Sequence, residues 1–344
     1  MPTAEEEIWR YSRIGELSLN AYSPAHVETT VVGGDGFVGA HSLQPSVIKR
    51  GDLFEALNID HSTPIVVSVP KSKVAGTIEI THRFNQSGAL FCPRVIIEAG
   101  ENSEVSVVER FLSVDGVASL VVSVLEINAS PASRVSYLAV NELGRNTWLI
   151  SHQEAEGERD SNIRLSAVAL GGDYARVRTE CRLVGKGASA QQVALYFADD
   201  SQMHDFRTTQ EHIAPRTHSD LLFKGAVQDT AKSVYTGLIK IHNEANGSEA
   251  YQTNRNLTLS EGAWAESVPN LEIETNDVKC SHASTVGPID EEQRFYLESR
   301  GIEPDVAERL VVLGFFNEVL ERLPNKELAA SLYAKVVEKL ERAK

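Results

Sequence analysis

Leu120-Val121-Val122-Ser123-Val124-Leu125, Val135-Ser136-Tyr137-Leu138, Asn162-Ile163-Arg164-Leu165-Ser166-Ala167-Val168 and Tyr174-Ala175-Arg176-Val177-Arg178 follow one another along the chain, and their reading decides the fold. Each is a short run of period-two character, with β-branched and other apolar residues recurring among polar or small ones. That alternation sends one face inward and the other toward water, as a β-strand requires. Ile65-Val66-Val67-Ser68-Val69 and Val105-Ser106-Val107-Val108 carry the pattern upstream, and Gly, Asn, Asp or Ser separates the runs. Between Pro64 and His282 no amphipathic helix pattern interrupts them. A doubly wound α/β fold or a (β/α)₈ barrel is therefore excluded, because both need helices between strands. A sandwich, a propeller and a β-solenoid remain. No clean repeat of ~40–50 residues marks propeller blades. The uneven recurrence of strand starts fits an irregular β-helix best, since short strands stack into long sheets without an exact repeat. The sandwich stays open at this point.

Outward from that core the character changes twice, giving an N-terminal mixed and helical region at 1–63, a β core at 64–285 and a helical region at 286–344. In the first, Ala4 to Leu19 and Leu53 to Leu57 read as helical, flanking the Gly-rich loop Val32-Gly33-Gly34-Asp35-Gly36. In the last, Asp290 and Gln293 stand at capping-box spacing, so a helix begins near Asp290 and stops at Gly301. Pro304 suits the first turn of the next helix, which Pro324 ends. Leu328, Leu332, Val336 and Leu340 form one apolar stripe on a final helix. That stripe, with Phe315-Phe316, reads either as packing between helices or as a surface for a partner.

Charge and cysteine usage narrow the function. The chain of 344 residues carries 33 Lys and Arg against 48 Asp and Glu, a formal net charge of −15, with no basic run. Phosphate backbones and anionic membranes attract clustered cations, so neither is an expected partner. Cys92, Cys181 and Cys280 are far apart, which fits a reducing compartment rather than a disulfide framework. The start, Met1-Pro2-Thr3-Ala4-Glu5-Glu6-Glu7, lacks the basic and apolar segments of a signal peptide, and no apolar run is long enough to span a membrane. A cytoplasmic protein is expected.

Enzyme templates are missing: no phosphate loop, Gly-x-Gly-x-x-Gly, Gly-x-Ser-x-Gly, His-Glu-x-x-His or Cys-x-x-Cys occurs. One group stands out, Val278-Lys279-Cys280-Ser281-His282. On a strand, Cys280 and His282 would point to the same side, their Cβ atoms ~7 Å apart. Thiolate and imidazole are the borderline-soft ligands that suit iron or zinc. Two ligands do not complete a site, so the others would come from elsewhere in the fold, from sulfide, or from a partner chain. The same residues also read plainly, as a small buried apolar Cys and a hydrogen-bonded His. Cys92 and Cys181 read as core, and His204, His212, His218 and His242 as surface or hydrogen-bonded residues.

From Gly225 to Leu323 a series of motifs runs Lys224-Gly225, Tyr235-Thr236-Gly237-Leu238-Ile239, Gln252, Asn254-Arg255-Asn256-Leu257-Thr258-Leu259-Ser260 and Pro269-Asn270-Leu271-Glu272-Ile273. It continues through Cys280-Ser281-His282, Phe295-Tyr296-Leu297-Glu298-Ser299-Arg300-Gly301-Ile302 and Gly314-Phe315. In content and order these motifs resemble the SufB/SufD family of the Suf iron–sulfur assembly system. Glu7-Ile8-Trp9-Arg10-Tyr11 is similar to the family's N-terminal box. Ala283 rather than Glu follows His282, and no cysteine-rich segment is present, which places the resemblance on the SufD side. The family usually has Gly after this His, so Ala283-Ser284 is a departure.

The resemblance implies a mainly β protein: a right-handed parallel β-helix with a C-terminal helical domain. It implies a scaffold subunit rather than an enzyme, pairing with a SufB-like subunit and a SufC-like ATPase. The ATPase would be held by the helical domain around Arg300, Gly301, Gly314, Phe315 and Phe316. It further implies that iron or a nascent iron–sulfur cluster is shared at the interface with SufB, with His282 and Cys280 as this chain's metal-facing residues, and that no cofactor resides in the isolated chain. Self-association of the isolated chain stays open. A β-solenoid interaction protein without a metal role, and a carbohydrate-active enzyme on a β-helix, are the competing readings.

Overall fold

The computed structural model describes residues 1–39, 48, 51–324 and 326–342. From Arg94 to Gly287 successive strands alternate between two long sheets, and within a sheet each pairs in parallel with the strand two places along the chain; the short strand Ala89–Phe91 interrupts that order before them. The result is a β-solenoid of about 8 turns followed by helices, so the sandwich alternative falls away. Register is continuous: Val105, Val135, Ile163, Ala190, Ser219, Ala250 and Cys280 stack as one column. The step varies from 27 residues between Ile163 and Ala190 to 31 between Ser219 and Ala250. That variation is why no exact repeat is visible in the sequence.

The inward parity fills the lumen. Val67, Ile80, Val95, Ile97, Val107, Ile127 and Ile163 are all fully buried there. Each such side chain stabilises the fold by ~1.5–3 kcal/mol. The turns stack as well. Ser72, Asn102, Ala132, Asp160 and Arg216 hold positive φ, and the N–H of each donates to a carbonyl in the next turn: Glu101, Pro131, Arg159, Lys186 and Asn246, at 2.8–3.0 Å. Ladders and turns together satisfy backbone groups along the whole stack.

The N-terminal region differs from expectation. Ala4 to Leu19 is not an α-helix; it forms short 3₁₀ turns at Glu7–Trp9, Ile14–Glu16 and Leu19–Ala21. The carbonyls a helix would use are taken by the sheet beneath: Arg176 donates to Ile8 and Arg207 to Arg10. Trp9 is wedged against the Arg176 guanidinium, 4.2 Å from its ring centre, and against Phe54. The segment is a strap, shaped by the sheet it crosses. The second expected helix does form, as α1 (Leu53–His61), with Asp52 and Glu55 making a reciprocal capping box.

Three C-terminal helices follow the last strand: α2 (Glu291–Ser299), α3 (Pro304–Arg322) and α4 (Lys326–Arg342). Asp290 caps α2 through the N–H groups of Glu292 and Gln293, and Gly301, at φ +85°, turns the chain into α3. Helices α3 and α4 lie on the outer face of the second sheet. Phe316, Val319, Leu332 and Val336 are buried there with Leu138, Val193, Leu195 and Phe197. The Leu332–Val336–Leu340 stripe is therefore packing. Polar latches fix the docking. Lys339 donates to the Leu170 carbonyl at 2.6 Å and the Gln202 side chain at 2.8 Å, and pairs with Asp199 at 2.8 Å. Arg322 pairs with Asp220 at 2.8 Å.

Removing the buried Lys339 cation leaves the buried Asp199 carboxylate with the more exposed Arg145 guanidinium, at 3.3 Å, as its remaining counter-charge among the described residues. Lys339→Met is expected to cost ~3 kcal/mol in urea unfolding and to accelerate amide exchange in α4 before the solenoid strands.

Candidate functional site

The two ends of the solenoid are built differently. At the start, Phe37 and Val38 pack onto the lumen, and the sheets finish in short antiparallel strands at Val38–Gly39 and Glu28–Val32. At the other end the sheets finish in Trp264–Ile273 and Val278–Gly287, each paired along only one edge among the described residues. These are full-length strands with a row of free N–H and C=O groups, the usual template for another chain. Apolar side chains are exposed there, with Ile273 43% and Val286 42% accessible.

Cys280 and His282 both stand on this last strand. Cys280 packs inward on the cluster of Ile239, Ile241 and Ala250. Two residues beyond His282, the Ser284 hydroxyl donates to that of Ser267 on the opposite sheet at 2.7 Å. His282 lies between these two inward residues and shares their parity. It is nevertheless exposed, because no rung covers it. The structure thus brings the sequence-selected pair to the open mouth of the lumen. Among the described residues, no group of three His, Cys, Asp or Glu side chains could hold a metal.

Burial raises the Cys280 thiol above its ordinary value. It is therefore protonated at neutral pH, and an arriving metal must displace the proton. The other two cysteines are deeper in the fold, and burial pushes both thiols up to about 12. Of the other histidines considered in the sequence, His218 is exposed beside the Tyr251 ring, and three are bonded within the fold. His204 meets the Gly171 carbonyl at 3.2 Å and is pushed down to about 3 by burial and by Lys339. His212 meets Thr217 and Ser219, and His242 meets Glu211 at 3.0 Å.

A second candidate surface lies on the helices. Phe295 is 70% and Tyr296 57% exposed on α2, beside Val306 and Leu310 of α3, also exposed. The Arg300 guanidinium lies 5.2 Å from the Tyr296 ring centre. A groove of about 960 Å³ runs between the helices and the sheet, lined by Arg255, Tyr296, Leu310, Gly314 and Phe315. Nothing lies within 4 Å of where a Gly314 Cβ would project, so the face is open at that point. Phe315 is partly buried, with the Lys224 ammonium 4.7 Å from its ring centre. Phe316 lies on the opposite side of α3, fully buried against Phe197, so it anchors the helix and cannot itself touch a partner.

Sequence reading did not single out as a site the polar row inside the last turns. Gln252, Asn254 and Asn256 alternate inward on Ser248–Thr258, directly below the last strand. Asn254 donates to the Tyr196 hydroxyl at 2.9 Å, and that hydroxyl donates to Asn256 at 2.6 Å. The available signal was three amides at spacing two, hidden because Thr253 and Arg255 between them are polar as well.

The family model for the SufBD core domain of the SUF system for iron–sulfur cluster assembly matches residues 82–315. The chain belongs to the SufBD family. An iron–sulfur cluster assembly SufBD family protein of Mycobacterium tuberculosis is 33% identical over 364 residues, covering 99% of this chain and 90% of the relative. Its counterpart from Mycobacterium leprae is 31% identical over 363 residues, covering 99% and 91%. The Escherichia coli iron–sulfur cluster assembly protein SufD is 29% identical over 244 residues, covering 71% of this chain and 58% of SufD. No helix among the described residues is long and apolar enough to cross a membrane.

The raised Cys280 thiol gives a direct expectation. In the isolated chain, iodoacetamide alkylates Cys280 more slowly than an unstructured cysteine at pH 7, and the rate climbs with pH past the ordinary thiol range. Mass spectrometry of the tryptic peptide reads both.

Proposed function

We propose that this chain is the SufD-type scaffold subunit of an iron–sulfur assembly complex. It would pair with a SufB-like subunit through the open end of its solenoid and receive a SufC-like ATPase on α2 and α3. The observation that carries the reading is the asymmetry of the ends: the first is closed by Phe37 and short strands, while the last leaves two ten-residue strand edges unpaired. A second solenoid with matching edges would extend both sheets and bury Ile273 and Val286. His282 would then lie at the joint, where the partner supplies the ligands this chain lacks. Iron is the cargo here, held transiently between the subunits.

The chemistry of driving such a site falls to the ATPase, since this sequence carries no phosphate loop. The exposed Phe295 and Tyr296 with Arg300 form the aromatic and cationic mixture that interfaces concentrate at their energetic centres. Movement of α3 would reach the solenoid through the Lys224 ammonium, which bonds the Phe315 carbonyl at 2.9 Å and Glu318 at 2.7 Å.

A second reading is favoured by one observation: Cys280 packs on Ile239 and Ile241 and stays protonated, as a structural thiol would. On that reading the end is a docking surface without a metal role.

Reconstitution with SufB-like and SufC-like subunits separates the two. His282→Ala, folded and still paired, is expected to lower cluster formation about tenfold or more; full activity would leave the docking role alone. Tyr296→Glu is expected to weaken ATPase co-purification about tenfold or more, with SufB pairing intact, and unchanged recovery of the ATPase would count against that surface.

A further inference from the structure

Gln252 is 1% exposed, and neither its amide nitrogen nor its amide oxygen has a hydrogen-bond partner. Buried amides are nearly always bonded, and an unsatisfied one points to a partner that arrives later. Among the described residues Gln252 is the only amide side chain with both atoms in that state, although Gln192 Oε1 and Ser233 Oγ are also buried without a partner. His82 bridges Thr29 at 2.8 Å and Glu109 at 2.9 Å, and Tyr137 closes on the same carboxylate at 2.5 Å. Gln252 stands out against such networks.

Its place is specific. Gln252 is the register neighbour of His282, one parallel strand below it and on the same inward face. Adjacent strands lie ~4.8 Å apart, so an amide on one reaches an imidazole on the next by rotation of its own side chain. The room for that rotation comes from the opposite sheet. A Cβ added at Gly237 would lie 2.2 Å from the Gln252 amide nitrogen and 2.6 Å from the Tyr235 hydroxyl. A side chain at 237 would thus occupy the space in which the amide sits.

A ligating imidazole binds through one nitrogen and needs an acceptor for the N–H on the other, which fixes its tautomer and its aim. The groups flanking His282 on its own strand are committed elsewhere: the Ser284 hydroxyl to Ser267, and Cys280 to the apolar cluster. We propose that Gln252 is a positioning residue that accepts the second His282 N–H and holds the imidazole aimed out of the lumen mouth, toward iron shared with the partner. An amide suits this task better than a carboxylate, because it accepts a hydrogen bond without favouring the imidazolium, which cannot ligate. This inference rests on the reading of the open end as an iron-handling interface.

Gln252→Met tests it, because methionine fills the space opposite Gly237 and removes both amide atoms. Ferrous ion is titrated into the complex of the full chain with SufB-like and SufC-like subunits, against a competing chelator. Binding 10–100-fold weaker than wild type, with the complex intact by size-exclusion chromatography, is the expected result. Gln252→Glu, which keeps an oxygen acceptor but favours the imidazolium, recovers only part of that loss. Long-range ¹⁵N-histidine NMR of the complex shows one His282 tautomer in the wild type and a mixture in Gln252→Met. Unchanged iron affinity overturns the proposal, and so does weaker affinity with an unchanged tautomer, which marks a packing role. His282→Ala in parallel separates the levels. If it leaves iron binding at the wild-type level, the iron reading of the open end fails. If it abolishes binding while Gln252→Met does nothing, only the role of Gln252 falls.

Discussion

A stack of parallel rungs has to end, and at its end the backbone has nothing left to pair with. That constraint organises this molecule. Inside the stack each strand gives its N–H and C=O groups to neighbours on both sides, and the turns do the same through their own ladder. At the first end the debt is settled locally by short antiparallel strands and Phe37. At the last end it is left open over Trp264–Ile273 and Val278–Gly287. An exposed double edge of this length invites uncontrolled association unless it has a specific partner. The residues whose chemistry drew notice in the sequence, Cys280 and His282, lie on that edge.

The covering elements follow from the same geometry. Each sheet has an outer face that a solenoid alone leaves apolar, and each face is covered by a different part of the chain. The N-terminal strap and α1 lie on the first sheet, fastened by Arg176 against Trp9 and by Asn58 donating to the Val122 carbonyl at 2.8 Å. Helices α3 and α4 lie on the second, fastened by Phe316 and Lys339. The solenoid is thereby closed on its flanks as well as at its start, and its last rung is the largest unfinished backbone surface among the described residues. The aromatic face of α2 is a separate surface, joined to the sheet through Lys224.

Much of this was legible in the sequence, for physical reasons that can be named. Runs such as Asn162-Ile163-Arg164-Leu165 alternate because one face is in the lumen, and the caps at Asp52, Asp290 and Gly301 announce helix ends through their own hydrogen bonds and φ. The Ala4–Leu19 segment misled, because its carbonyls bond to Arg176 and Arg207, residues far away in sequence. Phe316 misled as a docking residue because adjacent positions on α3 stand about 100° apart around the helix, and only packing shows which of them is buried most deeply on the sheet. Gln252 was legible as part of a motif and illegible as a lumen residue, since both parities of its strand are polar.

Backbone amide exchange measures the central claim most directly. The isolated monomer is compared with the same chain bound to its SufB-like partner. The account predicts marked slowing at the N–H groups of both Trp264–Ile273 and Val278–Gly287 on binding, with the first rungs unchanged. Exchange in those two strands that stays as fast in the complex as in the monomer, with new protection elsewhere, would contradict it.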